Sequence, residues 1–389
     1  MSTPPGTEPA RARDLGIPFD GTPGRWNAIT DVPGVEVGYQ TLIRGESVRT
    51  GVTAIHPRGA AAAGDPVAAG FVSQNGNGEM TGLSWIEESG TFSGPVGITN
   101  THAVGVVHAG IVAWTIKHHP RLAEVWLLPV AAETWDGYLN DINGHHVTEE
   151  TAVAALEAAA SGPVAEGSVG GGTGMNCYHF KGGSGTASRL VAYADTEYAV
   201  GVFVQANFGG RDELTLAGLP VGRLVTADDP MAEFRLAPDG AGSVIAIVGT
   251  NAPLLPGQCK ALARRVTLGL ARTGTTGSHF SGDLFLAFSS GNPGAITPGA
   301  GQRAADQRAA GGTHAADGAG DYDVLRFIPW GALDPFYAAV VQATEEAVAN
   351  ALTAGEDMTG RNGHRSPGLP RDQVAELFRD YRPAGGYGR

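Results

Sequence analysis

Short apolar runs without charge alternate along this chain with longer stretches whose apolar residues fall at helical spacing. Val35-Glu36-Val37-Gly38-Tyr39 alternates, and Gly51-Val52-Thr53-Ala54-Ile55 follows after a polar turn, which predicts two strands. Residues 94–99 read as a buried strand, and 104–116, apolar on nearly every side, as a helix buried between layers. Residues 125–130 form another short apolar run, ending at Glu133. Thr148-Glu149-Glu150 places carboxylates where a helix N-terminus favours them, and that helix runs to about residue 160. Residues 190–193 and 198–204 predict an antiparallel pair. Val244-Ile245-Ala246-Ile247-Val248 has the continuous apolar character of a strand covered on both faces. Pro256 opens a helix that reaches about Arg272 and stops before Gly274. Residues 284–288 are the next buried strand, and Asp334-Pro335 starts a last long helix with Tyr337, Val341, Val348 and Leu352 on one face. Buried strands alternating with helices, without repeat or linker, predict one layered α/β domain over 26–389. A Pro/Gly/Thr-rich arm at 1–25 is expected to drape over the surface, and 297–320 to form an exposed excursion.

Composition narrows the function. The 389 residues carry a net charge of −13 with no Lys/Arg run, so the clustered cations that displace nucleic-acid counterions are missing. Binding to an anionic membrane surface is not expected, on the same ground. No stretch of the N-terminal segment resembles a secretory signal, and no long apolar run suggests a membrane span. The two cysteines, Cys177 and Cys259, fit a reducing compartment, and the expected location is the cytoplasm. Cys259 shares a helix face with Leu262, Val266 and Leu270 and reads as a core residue.

Four polar clusters border apolar strands, where a rigid scaffold can hold reactive groups. The turn Asp239-Gly240-Ala241-Gly242-Ser243 delivers one serine onto the start of the 244–248 strand. It reads either as an ordinary loop-to-strand junction or as a self-cleaving site. In the second reading Ser243 attacks the Gly242 carbonyl, and an N-to-O shift followed by hydrolysis frees a new N-terminus. The new amine, with a pKa of about 7.7–8.0, would then activate the hydroxyl of its own residue. In Ser281-Gly282-Asp283 the hydroxyl and carboxylate share one face of an extended chain, as a proton-orienting pair or as a plain turn. Asn207, in Gln205-Ala206-Asn207-Phe208-Gly209, is an uncharged amide suited to an oxyanion, or a turn residue. Glu133 beside Trp135 suits a substrate ammonium, or is a solvated loop acid beside a rim aromatic. The glycine loop 170–174 lacks both nucleotide-binding spacings, and the eleven histidines show no metal-ligand pattern. Neither a metal nor a cofactor is expected.

Taken together these motifs resemble one family over about 26–364. It is the self-processing aminopeptidases typified by the DmpA-type L-aminopeptidase/D-alanine esterase–amidase and the β-peptidyl aminopeptidases. The matching stretches are 31–38, 133–144, 171–175 through 181–183, 204–209, Gly242-Ser243, Ser281-Gly282-Asp283 and 358–361. The DmpA branch looks most similar, at the glycine loop and at Ser-Gly-Asp. The resemblance implies a four-layer α/β/β/α sandwich, like N-terminal-nucleophile hydrolases but differently connected. It implies cleavage into chains 1–242 and 243–389 that stay together, and assembly into a homotetramer. It implies Ser243 as nucleophile, Ser281 and Asp283 beside its amine, Asn207 at the oxyanion, Glu133 at the substrate amine and Trp135 lining the pocket. Some relatives carry Glu at the acid position, so Asp283 is one methylene shorter.

The expected reaction is hydrolysis of an amide or ester after an N-terminal residue with a free amine: L-amino-acid peptides and amides, and D-alanine amides or esters. Three alternatives stand beside it. One is a β-peptidyl aminopeptidase of the same fold. Another is an ornithine acetyltransferase-like acyl transferase, which is expected to use threonine where this chain has Ser243. The last is an uncleaved, non-catalytic scaffold.

Overall fold

A computed structural model describes residues 10–234, 242–296, 323–379 and 381. Asp239, Gly240 and Ala241 of the glycine turn, and the excursion at 297–320, lie outside the described residues.

Two sheets stack face to face. The smaller has four strands in the order β1-β2-β5-β6, with β1 Glu36–Arg44, β2 Val48–His56, β5 Val96–Asn100 and β6 Val130–Thr134. The larger has six in the order β4-β3-β12-β11-β10-β9. Its strands are β3 Val67–Gly76, β4 Thr91–Phe92, β9 Gly183–Tyr193, β10 Thr196–Asn207, β11 Gly242–Thr250 and β12 Ser281–Ser289. Two small hairpins pair β7 Asn176–Cys177 with β8 Phe180–Lys181, and β13 Met358–Thr359 with β14 Arg365–Ser366.

The two-residue period of β11 and β12 builds the layers. Ile245, Ile247, Leu284 and Leu286 point between the sheets, where they meet Val37, Ile55, Ile98 and Ala132. Val244, Ala246, Val248, Phe285 and Ala287 point outward, onto Leu262, Val266, Val340 and Ala347. Those last four belong to the helices Pro256–Arg272 and Asp334–Thr353. The far face of the smaller sheet is covered by Val104–His118 and Glu149–Glu157, through Val107, Ile111, Trp114, Ala152 and Leu156. The architecture is α/β/β/α. With both faces of each sheet covered, burial of every Val, Ile or Phe contributes about 1.5–3 kcal/mol.

The strands and helices fall where the sequence puts them, usually longer; β12 starts at Ser281 rather than Leu284. Three expectations change. The helix Val104–His118 is an outer-layer helix, not one buried between layers, and Ile116 on its free side is 54% exposed. The apolar run at 125–130 is no strand until Val130, because Pro129 has no N–H to give a ladder; Val125, Trp126 and Leu128 are exposed. The described part of the arm is anchored rather than draped: Ala12 and Ile17 are buried in the core. Arg11 pairs with Glu166 at 2.9 Å and Arg13 with Glu346 at 2.6 Å. No helix among the described residues is long and apolar enough to cross a membrane.

Candidate active site

Ser243 is the second residue of β11, a central strand. Its register partner on the antiparallel β10 is Asn207, and on the parallel β12 it is Gly282. Partners across a sheet share a face, so the Ser243 and Asn207 side chains both point toward β6. The chain leaving β6 meets them there. The Trp135 N–H donates to Ser243 Oγ at 3.3 Å, and Asn207 Nδ2 donates to the Trp135 carbonyl at 2.9 Å. The Asn176 N–H donates to Asn207 Oδ1 at 2.9 Å, which fixes the amide with its NH2 toward the serine side. One Nδ2 hydrogen serves Trp135; the amide carries a second.

The parallel pairing of β11 with β12 sets Ser281 opposite Gly242 and Asp283 opposite Val244, so the two bracket Ser243 in register. Ser281 Oγ donates to Asp283 Oδ1 at 2.5 Å, and Asn75 Nδ2 donates to Oδ2 at 2.8 Å. Burial pushes the Asp283 carboxyl above its ordinary range, against these bonds and one from the Val244 backbone. Among the described residues neither Ser281 nor Asp283 hydrogen-bonds the Ser243 hydroxyl.

Glu133 is 2% exposed, near the end of the edge strand β6. The Glu79 N–H donates to Oε1 at 2.9 Å, and the Thr101 hydroxyl bonds Oε2. Burial raises its carboxyl above the ordinary value, against the pull of both donors. The 77–79 turn can lie close because Gly282 has no side chain; a Cβ there would collide with the Asn77 and Gly78 backbone. Glu133 therefore sits beside the strand end that carries Ser243, as a partly desolvated acid that would reward a cation.

Trp135 is 38% exposed and stands with Phe234 at a ring distance of 6.4 Å. Phe234 also meets Tyr138 at 5.0 Å and His364 at 5.6 Å, forming an aromatic wall beside the site. The glycine loop packs under it as close-approach backbone. A Cβ at Gly171 would overlap the Ile98 carbonyl and Gln205 Oε1. Gln205 ties the sheets together, donating to the Thr99 carbonyl at 3.0 Å and to Thr134 Oγ1 at 2.7 Å. Among the described residues no three His, Cys, Asp or Glu are placed to hold a metal ion.

All the sequence-predicted residues thus converge on one end of β11, between its two neighbouring strands and β6. Asn75, Asn176, Thr101 and the main-chain N–H groups of Trp135 and Glu79 were not anticipated. A main-chain donor, such as the Asn176 N–H, leaves no residue-type signal in sequence, and the side chains of Asn75 and Thr101 are polar residues that only the topology brings near.

Layered sheets around a strand-initiating serine define an N-terminal-nucleophile hydrolase fold. Comparison with known proteins agrees. The family model for Peptidase family S58 matches residues 27–366, and the chain belongs to that family. It is 46% identical to β-peptidyl aminopeptidase BapA of Sphingosinicella microcystinivorans, covering 96% of this chain and 93% of that one. With the enzyme of the same name from Sphingosinicella xenopeptidilytica the identity is 43%, over 95% and 91%. The solved L-aminopeptidase D-Ala-esterase/amidase of Ochrobactrum anthropi superposes with a TM-score of 0.83 at 42% identity, covering 95% of this chain and 98% of that one. A Burkholderia sp. β-aminopeptidase gives 0.83 at 43%, over 96% and 100%. The protein is an aminopeptidase of this family, a hydrolase with an N-terminal-nucleophile fold.

Proposed function

We propose that the chain matures by cutting itself between Gly242 and Ser243 and then removes N-terminal residues from small peptides, amides and esters. Ser243 Oγ attacks the Gly242 carbonyl, the Gly242–Ser243 C–N bond breaks as the acyl group moves to oxygen, and water releases Gly242 as a carboxylate. The freed Ser243 amine, of pKa about 7.7–8.0, then takes the proton of its own hydroxyl. Ser281 and Asp283 hold that amine in place. Oγ attacks the substrate carbonyl, and the second Nδ2 hydrogen of Asn207, with nearby main-chain N–H groups, receives the oxyanion. The amine returns the proton to the leaving nitrogen, and water hydrolyses the acyl-enzyme. Glu133 pairs with the substrate ammonium, with Trp135 on the pocket wall; a substrate lacking that ammonium leaves a buried charge unpaired.

The observation that carries this reading is the convergence of Asn207 and the Trp135 peptide on Ser243. Intact mass under denaturing conditions tests it: two chains meeting at Gly242/Ser243 are expected, and Ser243→Ala yields one inactive chain. A two-chain Ser243→Ala protein sinks the proposal.

Two specificities have support. The Ochrobactrum likeness favours N-terminal L-residues and D-alanine derivatives; the Sphingosinicella relatives favour β-amino acids. Rates on L-Ala and β-homo-amino-acid p-nitroanilides separate them. Assembly into a tetramer of processed units belongs to the same proposal, and sedimentation equilibrium reads it.

A further inference from the structure

Lys181 is fully buried, yet among the described residues no carboxylate pairs with it; its one ionisable neighbour is the Cys177 thiol. Burial lowers its pKa to about 7. An unpaired buried lysine is costly and needs a structural return. Nζ spends its three donors on three main-chain carbonyls: Met175 at 2.8 Å, Gly182 at 2.8 Å and Gly172 at 3.4 Å. The Met175 carbonyl and the Asn176 N–H belong to one peptide group, and that N–H is the donor to Asn207 Oδ1 at 2.9 Å. A continuous chain of bonds therefore runs from Lys181 Nζ through the 175–176 peptide to the Asn207 amide, whose NH2 faces Ser243.

The local backbone holds this chain rigidly. Lys181 returns opposite Asn176 across the β7–β8 hairpin. Its two-residue turn puts Tyr178 at φ +52° and His179 at φ +58°, left-handed values that cost of order 1–3 kcal/mol each in non-glycine residues. Such strain persists where surroundings enforce it. The Tyr178 hydroxyl bonds Thr273 Oγ1 at 2.6 Å, and His179 Nδ1 lies 2.9 Å from Asp229.

We propose that Lys181 is a positioning residue of the oxyanion site: it fixes and polarises the 175–176 peptide, and that peptide aims Asn207. A donor on a peptide oxygen strengthens the bond made by the same peptide's N–H, by about 10–30% in condensed-phase estimates. Lys181 does not touch substrate. The inference rests on the oxyanion role proposed above for Asn207.

The test is a double-mutant cycle in the full-length chain, with kcat per titrated active site, KM, and the thermal midpoint for each variant. Lys181→Met is expected to lower kcat about tenfold, a fraction of the 10²–10³ of a lost oxyanion donor, with KM within about twofold. In an Asn207→Ala background the same substitution is expected to add no further loss of kcat, since its route is gone. Losses that multiply, or a lowered midpoint with parental kcat, overturn the proposal and leave Lys181 a plug for the glycine loop. Should Lys181→Met fail to fold, Lys181→Gln keeps an uncharged donor and is expected to lose less kcat at unchanged KM; parental kcat in that variant overturns the proposal equally. Asn207→Ala with parental kcat is a separate result, which removes the oxyanion reading itself.

Discussion

Asn207 and Ser243 face each other across β10 and β11, and the single residue Trp135 contacts both side chains, giving its N–H to one and taking a bond from the other. The contact joins the two sheets at the point where the larger one presents its serine. Strand register sets the spacing of amide and hydroxyl, and the Trp135 backbone keeps them from turning away.

Asn207→Ala is therefore expected to lower kcat by about 10²–10³ with little change in KM, because an oxyanion donor acts chiefly in the transition state. Steady-state kinetics on an amino-acid p-nitroanilide checks this. A change confined to KM assigns Asn207 to ground-state binding instead.

Glu133→Gln keeps the shape and removes the charge. Loss of a charged hydrogen bond of about 1.5–3 kcal/mol predicts a KM raised about 10- to 100-fold for substrates with a free amine. The sign of the pH effect follows from the raised carboxyl: as pH falls through that value Glu133 takes up a proton, so binding weakens. Two acid limbs of kcat/KM are expected in the parent, one from the Ser243 amine and one from Glu133, and the variant keeps only the first. A Glu133 limb that survives unchanged in the variant belongs to another group.

Asp136 is fully buried in the turn after β6. Burial raises it from 3.8 to about 7, against bonds from Thr50 and Asn140. Between those two values the folded chain holds a proton that the unfolded chain has lost, so stability falls as pH rises through the window. Asp136→Asn removes this term. Urea melts at ~pH 5 and ~pH 8 are expected to show the variant gaining on its parent at the higher pH. Equal differences at both pH values rule the account out.

Glu346 is 0% exposed and receives Arg13 at 2.6 Å, Arg189 at 2.7 Å and Asn27 at 2.6 Å. Burial would raise its carboxyl, but the Arg13 bond and the charges of Arg189 and Arg13 hold it below the ordinary value. Glu346→Gln leaves the buried Arg189 uncompensated, at a cost of about 3–5 kcal/mol. In the parent this contribution is present above the unfolded carboxylate pKa and is lost as pH falls through the folded one. Chemical denaturation of the variant at neutral pH measures it; a loss under about 1 kcal/mol means the pair is solvated.

Where period and composition agree, the sequence was readable. The helix Pro256–Arg272 ends where its Pro and Gly signals place it, and Val244 to Val248 alternate between two cores as a doubly covered strand must. The site side chains could be picked out because each borders an apolar run: Ser243, Ser281 and Asp283 at its start, Glu133, Trp135 and Asn207 at its end. What escaped depends on distant backbone. Trp135 was readable as a side chain, yet its main chain makes the contact to Ser243. Lys181 looks like any surface lysine until the glycine loop closes over it. The run at 125–130 misled because hydrophobicity alone does not show that Pro129 denies the ladder a donor.

The bonds that cross residue 242 carry one last consequence. β11 is hydrogen-bonded along its length to β10 on one side and β12 on the other, and Glu346 holds Arg13 and Arg189 from the opposite side of that boundary. A cut there removes a covalent link but none of these contacts, so the native shape survives. The molecularity changes: dissolution of the cut protein releases two strands of polypeptide, and re-formation becomes second order. Under the proposed cut, each unit taken alone would change from a melting point independent of concentration to one that rises with it. Such maturation would leave a molecule that is easy to keep folded and hard to refold once diluted.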